Sequence, residues 1–184
     1  MNEKQLIAKV LKGDTSAFGY FVDTYQDMAI TIAYRICGNM QDAEDIVQNA
    51  YVKAFHNLHT FRSDSKFSTW FYRIVYNTAV TDTRGSFYNT EFVDYMHIDS
   101  SASSDLDTMA QVEENERKEM VNTALDQMPK DEGVLLTLFY LEDNSVKDIA
   151  KITGLTDANI KVRLHRARKR FAEIVNQLMK HEHV

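Results

Sequence analysis

Apolar side chains recur at intervals of three and four along most of this chain, the signature of amphipathic helices. Phe18, Phe21, Val22, Tyr25, Met28, Ala29, Ile32 and Ile36 line one side of a first helix, with Asp14 placed to cap its start and Gly38-Asn39 to end it. A second helix from about Asp42 turns Ile46, Val47, Ala50, Ala54 and Phe55 inward. A third, from near Phe67 to about Thr83, does the same with Phe67, Phe71, Ile74, Val75 and Thr78. Nearer the C-terminus, residues 112–127 read as helix and stop at Met128-Pro129, because the residue before a proline avoids helical backbone. Pro129 suits the first turn of a helix over 134–141. Ser145 with Asp148 three later forms a capping-box pattern for a helix over 146–153. Gly154-Leu155-Thr156 breaks that helix, and a last one runs from Asp157 to about Lys180, roughly 36 Å at 1.5 Å per residue. No stretch alternates with period two, so the pattern predicts an all-α fold.

The periodicity lapses once. Residues 86–120 hold nine acids against two bases, a net charge of −7, and include Ser100-Ser101-Ala102-Ser103-Ser104. Such a segment has little to bury and reads as a flexible acidic linker running into a helix start. The expected organisation is therefore two small helical domains, 1–85 and 112–184, joined by a linker over 86–111. This changes the meaning of the whole-chain charge. The 184 residues sum to −6, which counts against a protein that binds nucleic acid by bulk charge. Outside 86–120, however, 19 bases face 18 acids, so the acidity belongs largely to the linker.

Two further counts exclude function classes. Cys37 is the single cysteine, so no disulfide framework or cysteine zinc site is available, and it reads as a small packed residue beside Ile36. No apolar run approaches the roughly 18 residues of a membrane span, and the polar start Met1-Asn2-Glu3-Lys4-Gln5 lacks a signal-peptide core. A cytoplasmic location is expected.

The candidate chemistry lies on helix faces. Two helices joined by a three-residue turn containing glycine match a helix-turn-helix, with Ala150 small at the crossing and Ile149, Ile152, Leu155, Ile160 and Leu164 as the apolar seam. The pattern alone also describes a plain structural corner. The second helix tips the balance, because between Asp157 and Phe171 it carries Lys161, Arg163, Arg166, Arg168, Lys169 and Arg170 against a single acid. At 100° per residue, Ile160, Leu164, Ala167 and Phe171 form a buried stripe. Ala158, Lys161, Val162, His165 and Lys169 fall opposite it, with Arg166 beside them. An exposed face on the N-terminal half of a second helix is where base edges are read in the major groove, and flanking cations pair with phosphates. The competing description is a basic, solvated helix face.

Eight of the chain's 20 aromatic residues lie between Tyr51 and Tyr76. Most belong to a core. Yet Lys66, Trp70, Arg73, Asn77 and Arg84 lie along one line of the third helix, away from its apolar side. Cations, an amide and an indole on one face suit single-stranded nucleic acid, whose bases stack on aromatic rings for roughly 1–3 kcal/mol each. A mixed solvent face with Trp70 half buried is the plainer alternative. At the start of the second helix, Asp42, Glu44 and Asp45 either complement the helix dipole or form a negative patch for a basic protein partner.

Taken together, these segments resemble a known family, the extracytoplasmic-function sigma factors of the sigma-70 class. Asp42-Ala43-Glu44-Asp45-Ile46-Val47-Gln48 is similar to the family's core-polymerase-binding helix. Phe67-Ser68-Thr69-Trp70-Phe71-Tyr72-Arg73-Ile74 through Asn77-Thr78-Ala79 is similar to its promoter-melting helix. Ile149 to Leu155 with Ile160 to Arg168 is similar to its second-domain helix-turn-helix. The resemblance implies that Asp42, Glu44, Asp45 and Gln48 dock on the clamp helices of the largest polymerase subunit. It implies that Arg62, Lys66, Trp70, Arg73, Asn77 and Arg84 hold the melted minus-ten strand with one base flipped out, at a few kcal/mol of lost stacking. It also implies that Ala158, Lys161, Val162, Arg163, His165, Arg166 and Lys169 read the minus-thirty-five duplex. The partners implied are core RNA polymerase, promoter DNA and an anti-sigma factor, often membrane-bound, with no small-molecule substrate and no cofactor. Two positions depart from the family pattern. Val162 stands where a small polar residue is common, and Tyr76 where a base often sits. The rival reading is a one-component helix-turn-helix regulator, dimeric and independent of polymerase. An enzyme using Asp42, Glu44 and Asp45 as metal ligands needs further carboxylates or histidines at paired spacing, which the sequence lacks, so no metal site or catalytic group is expected.

Overall fold

A computed structural model describes residues 2–83, 114–141 and 143–181. The expected linker over 86–111 and Arg84 lie outside these residues. The described residues form eight α-helices and no strand: α1 Glu3–Leu11, α2 Gly19–Cys37, α3 Met40–Asn57, α4 Phe67–Asp82, α5 Glu114–Asp126, α6 Lys130–Tyr140, α7 Val146–Thr153 and α8 Asp157–His181. The all-α, two-domain expectation therefore holds, with α1–α4 in the first domain and α5–α8 in the second.

The helix ends follow from local chemistry. Asn39 accepts a hydrogen bond from the Asp42 amide at 2.8 Å, so α3 begins two residues before Asp42, at Met40. Gly38 ends α2 at φ 91°, a left-handed backbone that glycine adopts without steric cost. Pro129 occupies the cap position of α6, which starts four residues earlier than its first apolar side chain, Val134, suggests. Ser145 caps α7 through the Asp148 amide at 3.2 Å. Asp14 behaves differently from expectation. Its carboxylate accepts from the Ser16 hydroxyl at 2.6 Å and caps no backbone amide, because a 3-10 turn over Thr15–Phe18 leads into α2.

Helix α1 is an addition to the sequence reading. Asn2 and Gln5 close a reciprocal capping box at 3.0 and 3.2 Å, and Leu6, Ile7 and Val10 are buried. The Tyr25 hydroxyl donates to the Glu3 carboxylate and ties α1 to α2.

Helices α2, α3 and α4 pack on one another around an aromatic centre. Phe21 lies 4.2 Å from Phe67, and Tyr51 stacks on Phe71 at 4.5 Å between ring centroids. The Tyr51 hydroxyl donates toward the Phe21 and Val22 carbonyls, and burial, with Asp23 and Asp27 nearby, raises its pKa. In the second domain α6 and α7 pack on α8, with Leu138, Ile149, Ile160 and Ala167 fully buried.

The two domains share one apolar core. Helix α7 lies along α4, and α6 lies against α2. This accounts for a second buried face on α4. Of the expected inward set, Phe67, Phe71, Val75 and Thr78 are buried and Ile74 is half buried, and the structure also buries Thr69, Tyr72, Tyr76 and Val80. Only a narrow strip of α4 is left to solvent.

Candidate nucleic-acid interface

The strip left open on α4 is the one the sequence singled out. Arg73 and Asn77 are exposed, and Lys66, the residue just before the helix, is exposed beside them. Arg62 is exposed in the preceding loop. Trp70 is half buried, its ring 5.4 Å from Phe61 and 5.5 Å from Phe67. The indole is thus braced from beneath while part of it faces solvent. A braced ring between cations can accept a base without first paying for its own ordering.

The helix-turn-helix forms as expected. Gly154 takes the left-handed conformation at φ 77°, and its amide donates to the Ala150 carbonyl at 2.9 Å. The Thr153 hydroxyl bridges the turn, donating to the Ile149 carbonyl at 2.8 Å and accepting from the Leu155 amide at 3.3 Å. Thr156 opens α8 by accepting from the Asn159 amide. Ahead of α7, buried Asn144 donates to the Leu138 carbonyl at 3.0 Å and satisfies the C-terminal end of α6. These bonds fix the angle at which α8 is presented.

On α8, Ala158, Lys161 and Lys169 are exposed, while Val162, His165 and Arg166 are half buried. Arg163 stands apart. Its Nε donates to Asn159 at 2.6 Å and its Nη1 to Asp131 on α6 at 2.7 Å, with both side chains of the ion pair about a fifth exposed. Its geometry is that of a brace between α6 and α8. Arg168 is tied inward too, donating from Nε to the Tyr140 hydroxyl at 2.8 Å and lying 5.2 Å over the Phe139 ring. Arg170 reaches Glu132 at 3.4 Å. Burial raises the Glu132 pKa, with Asp131 adding to the rise and Arg170, Arg166 and Arg163 opposing it.

Glu44, Asp45 and Gln48 are exposed on the outer face of α3. Asp42 is exposed as well, but its carboxylate accepts from the Asn39 amide group at 2.7 Å and belongs to the helix cap. The same outer face continues into two apolar residues: Val52, which the sequence reading passed over, and Phe55, which it turned inward but which lies at the helix edge, its ring 5.2 Å from Phe18 and partly in solvent. Val52 is 57% exposed and Phe55 36%. Their spacing from Asp45 and Gln48 repeats the three-and-four interval, which was the available signal. Among the described residues no group of His, Cys, Asp and Glu side chains could hold a metal ion, and no helix is long and apolar enough to cross a membrane.

An all-α pair of domains, with a basic helix-turn-helix in the second and a cation-flanked tryptophan on the first, defines a DNA-binding protein of the transcription-initiation class. Comparison with known proteins narrows this. The family model for sigma-70 region 2 matches residues 21–86, and that for sigma-70 region 4 matches residues 118–171. The chain is 30% identical to the RNA polymerase sigma-H factor of Pseudomonas aeruginosa, over 97% of this chain and 96% of that one. It is 28% identical to the ECF RNA polymerase sigma factor SigW of Bacillus subtilis, over 90% and 92% of the two chains. It is 29% identical to the ECF sigma-E factor of Escherichia coli, over 98% and 97%. Its fold is similar to that of CnrH, solved in complex with the cytosolic domain of CnrY, with a TM-score of 0.66 at 20% identity over 95% and 97% of the chains. It is also similar to RpoE of Bartonella quintana, solved with the anti-sigma factor NepR, with a TM-score of 0.63 at 22% identity over 86% and 96%. The chain belongs to the extracytoplasmic-function sigma factors of the sigma-70 family.

Proposed function

We propose that the three exposed faces divide the work of promoter-specific initiation among three helices. The outer face of α3, with Glu44, Asp45 and Gln48 and the apolar pair Val52 and Phe55, docks on the clamp helices of core RNA polymerase. Asp42 contributes there mainly by fixing the start of α3. The strip of Arg62, Lys66, Trp70, Arg73 and Asn77 holds the melted minus-ten strand. Ala158, Lys161, Val162, His165, Arg166 and Lys169 meet the minus-thirty-five duplex, with Val162 offering apolar contact to a thymine methyl. Arg163 acts one step back, holding α8 in place. The domains on this reading span 1–85 and 112–184. The protein has no catalytic group of its own, works in the cytoplasm beside polymerase, and is held in check by an anti-sigma protein.

The observation that carries the reading is the α4 strip. A helix buried on two sides leaves Arg73 and Asn77 facing solvent along its middle, residues suited to a single strand. A polymerase-independent regulator has no use for such a strip.

The test is transcription in vitro with purified core polymerase on genomic DNA of the source, read by 5′-end sequencing. Initiation at defined sites that needs this protein supports the reading, and failure to associate with core polymerase refutes it. Asp45→Arg should weaken core association at least tenfold and leave duplex binding unchanged.

A further inference from the structure

Helix α8 carries two lines of basic side chains, and they stand in different surroundings. Lys161 and Lys169, with His165 between them, form an outer line on which both lysines are exposed. Arg163, Arg166 and Arg170 are three and four residues apart and share a flank beside the buried seam of Ile160, Leu164 and Ala167. That flank meets the first turn of α6, which holds two neighbouring acids, Asp131 and Glu132. Asp131 Oδ2 accepts from Arg163 Nη1 at 2.7 Å, and Glu132 Oε2 lies 3.4 Å from Arg170 Nη1. All three arginines act on Glu132, each opposing the rise that burial imposes on its pKa.

Acids in a first turn are ordinarily accounted for by the helix dipole. An exposed carboxylate meets that need without leaving water. Here Glu132 is 9% exposed and the Asp131 side chain 22%. Asp131 Oδ1 and Glu132 Oε2 are buried and accept no hydrogen bond. Burying carboxylates with oxygens to spare costs stability, and the dipole does not require it. What the burial does secure is a weakly screened attraction on the arginine flank.

The consequence rests on the duplex contact proposed above for α8. Cations beside a reading face pair with phosphates whatever the base sequence. They tighten binding to every duplex alike and add no discrimination. We propose that Asp131 and Glu132 are specificity-determining residues, which withhold Arg163 and Arg170 from DNA phosphate so that α8 meets the duplex with its outer line and Arg166. The two acids thereby limit the grip of α8 on arbitrary DNA, and base contacts carry a larger share of the binding.

The test measures binding of the full chain to a short duplex of arbitrary sequence over a range of salt concentrations. Each phosphate newly neutralised adds about 0.9 to the slope of log affinity against log salt, a further loss of about eightfold for each tenfold rise in salt. Asp131→Asn should release Arg163 and Glu132→Gln should release Arg170, each steepening the slope by about 0.9 and tightening binding at low salt. Adding Arg163→Ala to the first variant, or Arg170→Ala to the second, should reverse the change. A merely structural role predicts the opposite sign, because a loosened second domain binds DNA less tightly. Transcription of genomic DNA with core polymerase supplies a second readout. The share of 5′ ends at defined sites should fall severalfold when both acids are replaced. Unchanged slopes or weaker binding in both single variants overturn the withholding, as does a duplex that neither the unaltered chain nor any variant binds. A steeper slope that survives removal of the matching arginine overturns it too. Steeper slopes with an unchanged share of defined starts overturn the role in specificity. If the slopes change as expected while no chain associates with core polymerase, the proposed function fails and the withholding stands.

Discussion

Replacing Arg163 by alanine should damage the second domain's stability and leave its contact with phosphate alone. Sequence places this arginine among the DNA-contacting residues, but the structure commits its guanidinium to Asn159 at 2.6 Å and Asp131 at 2.7 Å. A hydrogen bond to a charged group contributes about 1.5–3 kcal/mol when well shielded. Here both side chains of the pair are about a fifth exposed, which weakens the attraction through solvent. A loss of about 1–2 kcal/mol follows, or about 2–8 °C in Tm for a chain of this size. Urea and thermal denaturation measure it, and a double-mutant cycle with Asp131→Ala should return a coupling of about 1 kcal/mol. The contrast is Lys161→Ala, whose side chain is exposed. Each phosphate neutralised adds about 0.9 to the slope of log affinity against log salt. Lys161→Ala should lower that slope by about 0.9 on an arbitrary duplex, with Tm unchanged, while Arg163→Ala should leave the slope alone. If Arg163→Ala flattens the salt slope and leaves Tm where it was, the brace does not exist in solution.

Three other outcomes follow from the same structure. Arg73→Ala, at an exposed site on α4, should cut affinity for a single-stranded oligonucleotide about tenfold and shift Tm by less than 2 °C, as fluorescence anisotropy and a thermal melt will show. Glu132 has a folded pKa raised above its ordinary 4.5, chiefly by burial, so the folded state binds its proton more tightly than the unfolded state does. Stability should therefore fall as pH rises from 4.5 through the raised value. Glu132→Gln should flatten that fall and raise Tm at pH 7, and an unchanged pH profile would count against the burial argument. Gly154→Ala should cost about 1 kcal/mol from its left-handed φ of 77° alone, because an added Cβ meets nothing within 4 Å; chemical denaturation reads the loss directly.

Most of the fold was legible because each helix carries its own signal. The seams of α2, α7 and α8 are continuous three-and-four repeats, and Gly38 and Gly154 end helices where a positive φ is needed. What could not be read depended on partners distant in sequence. Helix α1 has only Leu6, Ile7 and Val10 to announce it, a pattern too short to stand without its capping box. Tyr72, Tyr76 and Thr69 look like the flank of an amphipathic helix until the packing of α2, α3 and α7 around α4 buries them. The DNA-facing set was legible as a face and not as individual roles. Sequence ranks Arg163 and Arg166 alike, since nothing local reveals that Asp131, 32 positions earlier, will stand beside Arg163. Val52 was passed over and Phe55 turned inward for the opposite reason, because apolar residues on a helix are read as core unless a structure shows them exposed.

Helix α4 explains how one element can serve both the core and the promoter. Its first face, Phe67, Phe71, Val75 and Thr78, holds the first domain together, and a second face, Thr69, Tyr72, Tyr76 and Val80, is buried as well in a helix that α7 of the other domain also packs along. The third face keeps Arg73 and Asn77 in solvent. Lys161 and Lys169 on α8 are exposed as well. The packing of the two domains on one another therefore hides none of these side chains. A short single strand and a short duplex should each bind the free protein weakly, and a probe carrying both should bind more tightly than either, because joint engagement of two weak sites multiplies their affinities through effective concentration. A single strand that fails to bind the free protein at all would show that the packing shields the α4 strip.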